Sequence, residues 1–98
     1  MSASVRLRKE AESDLTEAAA WYECQRPGLG RDFLNEVESM LESIATRPFS
    51  YPQVYRSVHR AIIKRFPFSV FYLVIGVDVV VLAILHSTRH PSKWQSRR

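Results

Sequence analysis

His86, Arg89 and His90 follow the apolar run Val79 to Leu85, and Lys64 and Arg65 stand just before its partner run, Val70 to Ile75. Imidazole exchanges protons near neutral pH, and guanidinium groups grip phosphate or carboxylate oxygens two at a time. Such residue types can serve RNA cleavage by 2′-hydroxyl attack, with His86 moving the proton and Arg65 and Arg89 stabilising the phosphorane. Further on, Lys93, Trp94, Arg97 and Arg98 add cations around one aromatic ring, which suits phosphate contact with base stacking. The plainer uses of the same residues are to hold a polyanion or a protein without chemistry, or to keep the ends of an apolar sheet in water. His86 and His90 stand four apart, yet no acid or cysteine is near enough in sequence to complete a metal set, so no metal site is expected. Cys24 follows an acidic stretch with no base indicated, which favours packing over nucleophilic work. Gly28-Leu29-Gly30 has no strand before it and no Lys-Ser/Thr after it, so it is no phosphate loop and no cofactor is implied.

The elements that must position these residues begin with a hairpin. Gly76-Val77-Asp78 splits the two apolar runs, and a three-residue turn there pairs Ile75 with Val79, Leu73 with Val81, Phe71 with Ala83 and Ser69 with Leu85. That register sets His86 across from Phe68, beside Pro67 and Arg65. A preceding strand over Val58 to Lys64 places Val58, Arg60, Ile62 and Lys64 on one face and His59, Ala61, Ile63 and Arg65 on the other. Paired antiparallel with the hairpin, it brings Lys64 and Arg65 to the same sheet end as His86 and Arg89. Both faces of the hairpin are apolar, as in strands covered on both sides.

The N-terminal half supplies one cover. Ser4 to Arg8 alternates as a short strand, and Glu10 to Gln25 has helical spacing with Ala11, Leu15, Ala18 and Tyr22 inward and Trp21 on the margin. Arg26-Pro27-Gly28-Leu29-Gly30 stops that helix, and Arg31 to Ala45 forms a second with Phe33, Leu34, Val37, Met40, Leu41 and Ile44 as its stripe. So short a turn makes an antiparallel helical hairpin. Arg47-Pro48 ends it, and Phe49 to Pro52 is a loop. The predicted order is β-α-α-β-β-β: an α+β single domain over residues 1–98, with a helical hairpin packed on an antiparallel sheet. The second sheet face must be covered by loops, the C-terminal tail or a partner protein.

Charge is unevenly placed. The chain of 98 residues has a formal charge of +4, but residues 10–46 hold nine acids against Arg26 and Arg31, and residues 47–98 hold nine Lys or Arg against Asp78 alone. One cysteine permits no intramolecular disulfide, which fits a reducing cytoplasm. Charges follow the first arginines where a signal peptide needs an apolar run. Phe66 to Leu85 is long enough to span a membrane, but Pro67, the Gly76-Val77-Asp78 interruption and the load of Val and Ile oppose it. Asp78 at a bilayer centre would cost about 2.5–3.5 kcal/mol. A cytoplasmic location without a membrane role is the expectation.

The runs AESDLTEAAAWYE, PGLGRDFLNEVE, RPFSYPQVYRSVHRAIIKRFPFSVFYLV and VVVLAILHSTRHPSKW together resemble the ParE/RelE superfamily of bacterial toxins, over about residues 5–94. The resemblance rests on Trp21-Tyr22, on Pro27-Gly28-Leu29-Gly30 with Phe33, on Lys64-Arg65-Phe66-Pro67-Phe68 after Arg60, and on His86, Arg89 and Pro91. It implies the toxic half of a type II toxin–antitoxin pair, of the kind described as plasmid stabilisation proteins, with a cognate antitoxin as partner. It implies one of two targets, DNA gyrase for ParE-like members or mRNA on the ribosome for RelE-like endoribonucleases. A degenerate, non-toxic binding module is the third possibility. Under the RelE-like reading Arg65, His86 and Arg89 are the catalytic candidates. Arg60, Lys64, Arg65, Lys93 and Trp94 are the candidates for contact with nucleic acid or target, and Trp21, Phe71 and Leu73 for antitoxin binding. Trp94 stands where a RelE-like nuclease would carry a tyrosine, and no carboxylate lies near Val58. The acidic helical hairpin with Trp21-Tyr22 looks ParE-like, and that is the favoured branch.

Overall fold

A computed structural model describes residues 3–98. Its elements are β1 (Ser4–Leu7), α1 (Lys9–Gln25), α2 (Leu29–Thr46), β2 (Gln53–Tyr55), β3 (Val58–Ile62), β4 (Phe68–Ile75), β5 (Asp78–His86) and α3 (Ser92–Gln95). The five strands form one sheet in the order β1-β5-β4-β3-β2. This is the expected α+β architecture, with two additions: the short edge strand β2 and the single-turn helix α3. Strands β2 to β5 pair antiparallel, but β1 joins β5 in parallel, so the sheet is mixed rather than antiparallel throughout. The long connection through both helices makes parallel pairing possible, since only adjacent strands joined by tight turns are bound to be antiparallel.

The helical hairpin is welded at its turn. Gly28 has φ 88° and caps α2 without a side chain of its own, so the N-terminal amides of α2 need another acceptor. Glu23 of α1 supplies it, accepting from the Gly28 N–H at 2.9 Å and the Gly30 N–H at 3.0 Å. A negative charge also suits the positive end of the α2 dipole. Gly30 allows the close approach this requires, because a Cβ there would lie 2.6 Å from the Ala19 carbonyl oxygen.

Register in the β4–β5 hairpin departs from expectation near the turn and returns to it beyond. Ile75 pairs with Asp78, so the turn has two residues, and Val74 and Leu73 face Val79 and Val80. Gly76 takes φ 62° there, which a glycine adopts without steric cost. Leu82 is then an extra, unpaired residue opposite the Phe71–Tyr72 step, after which Phe71 faces Ala83, Ser69 faces Leu85 and Phe68 faces His86, as anticipated. Such a bulge shifts which side of the sheet each residue faces. Val79, Val81 and Ile84 therefore point to the helices, and Val80, Leu82, Ala83 and Leu85 to the other side.

Two cores result. Under the helices, Ala11, Ala18, Phe33, Val37 and Ile44 meet Val70, Tyr72, Val79, Val81 and Ile84. On the opposite face Val58, Phe71, Val80, Leu82, Ala83 and Leu85 are covered by Trp94 of α3, with Tyr55 at the margin. The C-terminal tail thus provides much of the second cover. Among the described residues no helix is long and apolar enough to cross a membrane.

Candidate functional site at the end of the sheet

The β3–β4 turn and the segment after β5 meet at one end of the sheet, as the pairing of Ile62 with Ser69 and of Phe68 with His86 requires. His86 ends β5 on the helix side, with its ring edge-on to Phe68 at 5.3 Å. Its Nδ1 accepts from the Thr88 N–H at 3.1 Å and lies 2.8 Å from the Thr88 hydroxyl, so a neutral ring carries its proton on Nε2. His90 repeats the pattern with the Ser92 N–H at 3.2 Å and hydroxyl at 3.0 Å. Both rings are held by the turns that follow them.

Arg89 is exposed, and its backbone N–H closes the turn onto the His86 carbonyl at 3.0 Å. It lies at the junction of three grooves. The first, about 220 Å³, lies on the α3 side between Arg60 and Arg89, with Ser69, Phe71 and Trp94 among its lining. A second, about 570 Å³, lies on the α1 side and is lined by Ala18, Trp21, Tyr22, Phe68, His86 and Arg89 among others. Between β5 and α1 a third, about 170 Å³, includes Asp14, Glu17, His86 and Arg89. Burial pushes the Tyr22 phenol above its ordinary range.

The structure thus brings Arg60, His86 and Arg89 to shared grooves, but it takes Arg65 elsewhere. Arg65 has φ 71° in the β3–β4 turn and reaches across to α2, 3.2 Å from Glu36 and 3.9 Å from Asp32, with its guanidinium 5.8 Å from the Phe66 ring centre. Its charge is matched by the acidic hairpin rather than aimed into the groove with Arg60. Lys64 and Lys93 are exposed and line none of the three grooves. Trp94 is 8% exposed and stacked on Phe71 at 4.4 Å and 12°. Both rings are therefore occupied with each other. Leu73 is half-buried beside this second core, whereas Trp21 is 59% exposed, touching Tyr22 edge-on at 5.1 Å.

Three residues whose partners sequence reasoning did not foresee matter here. Asp14 and Arg97 form an ion pair at 2.6 Å; Asp14 also accepts the Ile84 N–H at 3.1 Å, and Arg97 donates to the Leu82 carbonyl at 3.3 Å. The reason is the brevity of β1, which pairs only Asp78 to Val81 and leaves the outer edge of β5 without a strand partner beyond that point. Two side chains take the place of the missing strand. Arg8 completes the arrangement by donating to the Arg97 carbonyl at 2.5 Å. The sequence signal for it is weak, since Asp14 lies one turn before Ala18 at the edge of the inward stripe, on the side of Glu10 and Glu17.

A family model described as the ParE toxin of the type II toxin–antitoxin system parDE matches residues 5–91. Among solved structures, a toxin–antitoxin structure of the chromosomal ParDE system from P. aeruginosa superposes with TM-score 0.77 at 18% identity, covering 86% of this chain and 95% of that one. The RelBE2 toxin–antitoxin complex from Mycobacterium tuberculosis superposes with TM-score 0.61 at 18% identity, covering 88% of this chain and 99% of that one. No curated protein sequence matches. With a family match over most of its length, on the fold these two structures share, the chain belongs to the ParE toxin family of type II toxin–antitoxin systems.

Proposed function

We propose that this toxin is neutralised by a cognate antitoxin and acts through protein contacts on DNA gyrase. The observation that carries the reading is the division of the sheet-end cations. Arg65 is tied to Asp32 and Glu36, and Trp94 is stacked under its own fold. No carboxylate lines the groove between Arg60 and Arg89. General acid–base cleavage needs an acid, a base and cations around one phosphate, and base recognition needs a free ring. The groove beside Arg60 offers two arginines and His86, without a carboxylate to act as its counterpart and without a free ring from Trp94. The antitoxin would engage the exposed Trp21 on α1 and, at the margin of the second core, the half-buried Leu73, with Phe71 buried behind it under Trp94. The two similar structures are both toxin–antitoxin systems by name, which supports such a partner.

A RelE-like endoribonuclease is the second reading, favoured by one feature: His86 and Arg89 share the groove between β5 and α1 with Glu17 and Asp14. Purified toxin assayed for gyrase supercoiling, beside primer extension on translated mRNA, separates the two. Inhibition of supercoiling with intact transcripts is the expected result. Unaffected supercoiling with transcripts cut within codons would refute the proposal, and loss of that cutting in His86→Ala with Arg89→Ala would establish the nuclease.

A further inference from the structure

The end of the sheet opposite His86 and Arg89 carries apolar surface that neither the fold nor the contacts proposed above employ. The β4–β5 turn, the start of β1 and the loop after α2 meet there, and the Ala3 N–H donates to the Ala45 carbonyl at 2.8 Å. Between them lies a groove of about 470 Å³, lined by Ala3, Ala45, Val74 and Gly76 together with Phe49 and Val77. Phe49 is 72% exposed and Val77 81%, the highest values among the large apolar side chains described. The loop that carries Phe49 is pinned on both sides of it. The Tyr72 hydroxyl donates to the Pro48 carbonyl at 2.7 Å, and His59 Nδ1 donates to the Tyr51 carbonyl at 2.7 Å. A ring presented on so fixed a loop is an anchor that needs little further ordering on binding.

This face is complementary to itself in shape and in charge. It has a projecting ring, Phe49, beside a hollow lined by the small residues Ala3, Ala45 and Gly76. Its two rims have opposite signs. Arg47, exposed at the end of α2, stands on the helix side, with Glu42 of the same helix making no ion pair to it. Asp78 precedes the helix-facing Val79 and so turns to the other side of the sheet, and it is the one acid of residues 47–98. Among the described residues neither Arg47 nor Asp78 has an ion pair. A twofold contact uses the same patch on both copies and sets each rim against the opposite rim of the other. We infer that this face joins two copies of the chain, with Phe49 of each seated in the groove of the other and Arg47 paired with Asp78 across the axis. The basic ends then point outward, since the eight residues of β4 hold them about 25 Å from the contact. With Phe49, Val77 and the 54% exposed Ile75 as its apolar centre, the contact is smaller than the about 800 Å² per partner of a standard interface, so the dimer is weak and concentration-dependent.

Analytical ultracentrifugation of the full chain, from about 1 μM to about 1 mM, brackets the affinities of weak complexes. The expected result is a monomer–dimer equilibrium within that range. Phe49→Ala and Val77→Ser should each weaken it about tenfold or more, as loss of a central anchor does. Neither should lower the melting temperature, because both side chains are exposed. Arg47→Asp and Asp78→Arg should each suppress self-association, since like charges then meet at both rims, and mixing the two variants in equal amounts should restore it. A monomer at every concentration overturns the inference. So does a dimer indifferent to Phe49→Ala and Val77→Ser, which must use another face, and so does a mixture that associates no better than its components. A monomeric wild type whose Phe49→Ala variant no longer binds its antitoxin assigns the face to that protein and overturns the inference as well. The dimer measurement involves no supercoiling assay, so its failure leaves the gyrase reading standing, and the reverse holds too.

Discussion

Replacing Arg97 by Met tests the reasoning about the sheet edge most directly. The Asp14 and Arg97 side chains are only 10% and 18% exposed, and their 2.6 Å contact links α1 to the next-to-last residue of the chain. Removing one partner of a buried pair costs about 3–5 kcal/mol, because the remaining charge stays desolvated. Here the lower end applies: Asp14 keeps the Ile84 N–H, and a loosened tail admits water, so about 3 kcal/mol is the expected loss. For a domain of this size that is a large share of a total of about 5–15 kcal/mol, and it lowers the melting temperature by about 12–24 °C. Urea denaturation of the wild type, Arg97→Met, Asp14→Leu and the double variant closes a cycle. The double variant should lose less than the two single losses added together, by about 1–3 kcal/mol, since the two residues interact directly. A loss below about 1 kcal/mol for Arg97→Met, or strict additivity, would show that the pair is an ordinary surface contact.

Gly30→Ala should cost about 1–3 kcal/mol in urea denaturation, because its Cβ would press on the Ala19 carbonyl at 2.6 Å and strain the contact that lets Glu23 cap α2. Trp94→Ala should lose about 3–5 kcal/mol and increase binding of an apolar dye, as the Phe71 face loses its cover. By contrast, Trp21→Ala should leave stability within about 0.5 kcal/mol while weakening antitoxin binding, since that ring is mostly in solvent. Burial and the nearby Tyr51 phenol push Tyr72 up to about 12, with its hydroxyl donating to the Pro48 carbonyl at 2.7 Å. The folded value lies above the ordinary 10.0, so this contribution is intact below pH 10 and is lost as pH rises toward about 12. Tyr72→Phe should flatten that alkaline decline in a melting-temperature series.

Much of the architecture could be read from local pattern. Two helices broken at Pro27-Gly28 and the apolar runs either side of Gly76 carry clear signals, and the strand from Val58 is marked by an imperfect alternation of Val58, Arg60 and Ile62 against His59, Ala61 and Ile63. Three-residue β2 and four-residue α3 carry almost none, because so few residues cannot establish a period. The sequence marks the turn at Gly76 but implies three residues where the structure has two. The one-residue difference is absorbed by the bulge at Leu82, which no local rule announces. In the site, strand register brings Lys64 and Arg65 to the sheet end of His86 and Arg89, but it is Arg60 that shares a groove with His86 and Arg89. The destination of the Arg65 side chain does not follow from register, because it depends on where α2 lies over the sheet.

By itself, then, the chain's order of residues determined the α+β class, the helical hairpin, the antiparallel strands and the convergence of cations at one sheet end. Tertiary structure alone decided which of those cations remain free. Arg65 is neutralised by Asp32 and Glu36, Arg97 is spent on Asp14, and Arg60 and Arg89 are left facing a groove with no acid. The physical reason is reach. Periodicity fixes which face a residue occupies, but an ion pair joins side chains 29 residues apart for Arg65 with Glu36 and 83 apart for Arg97 with Asp14. Only the packing of layers brings such partners within hydrogen-bonding distance.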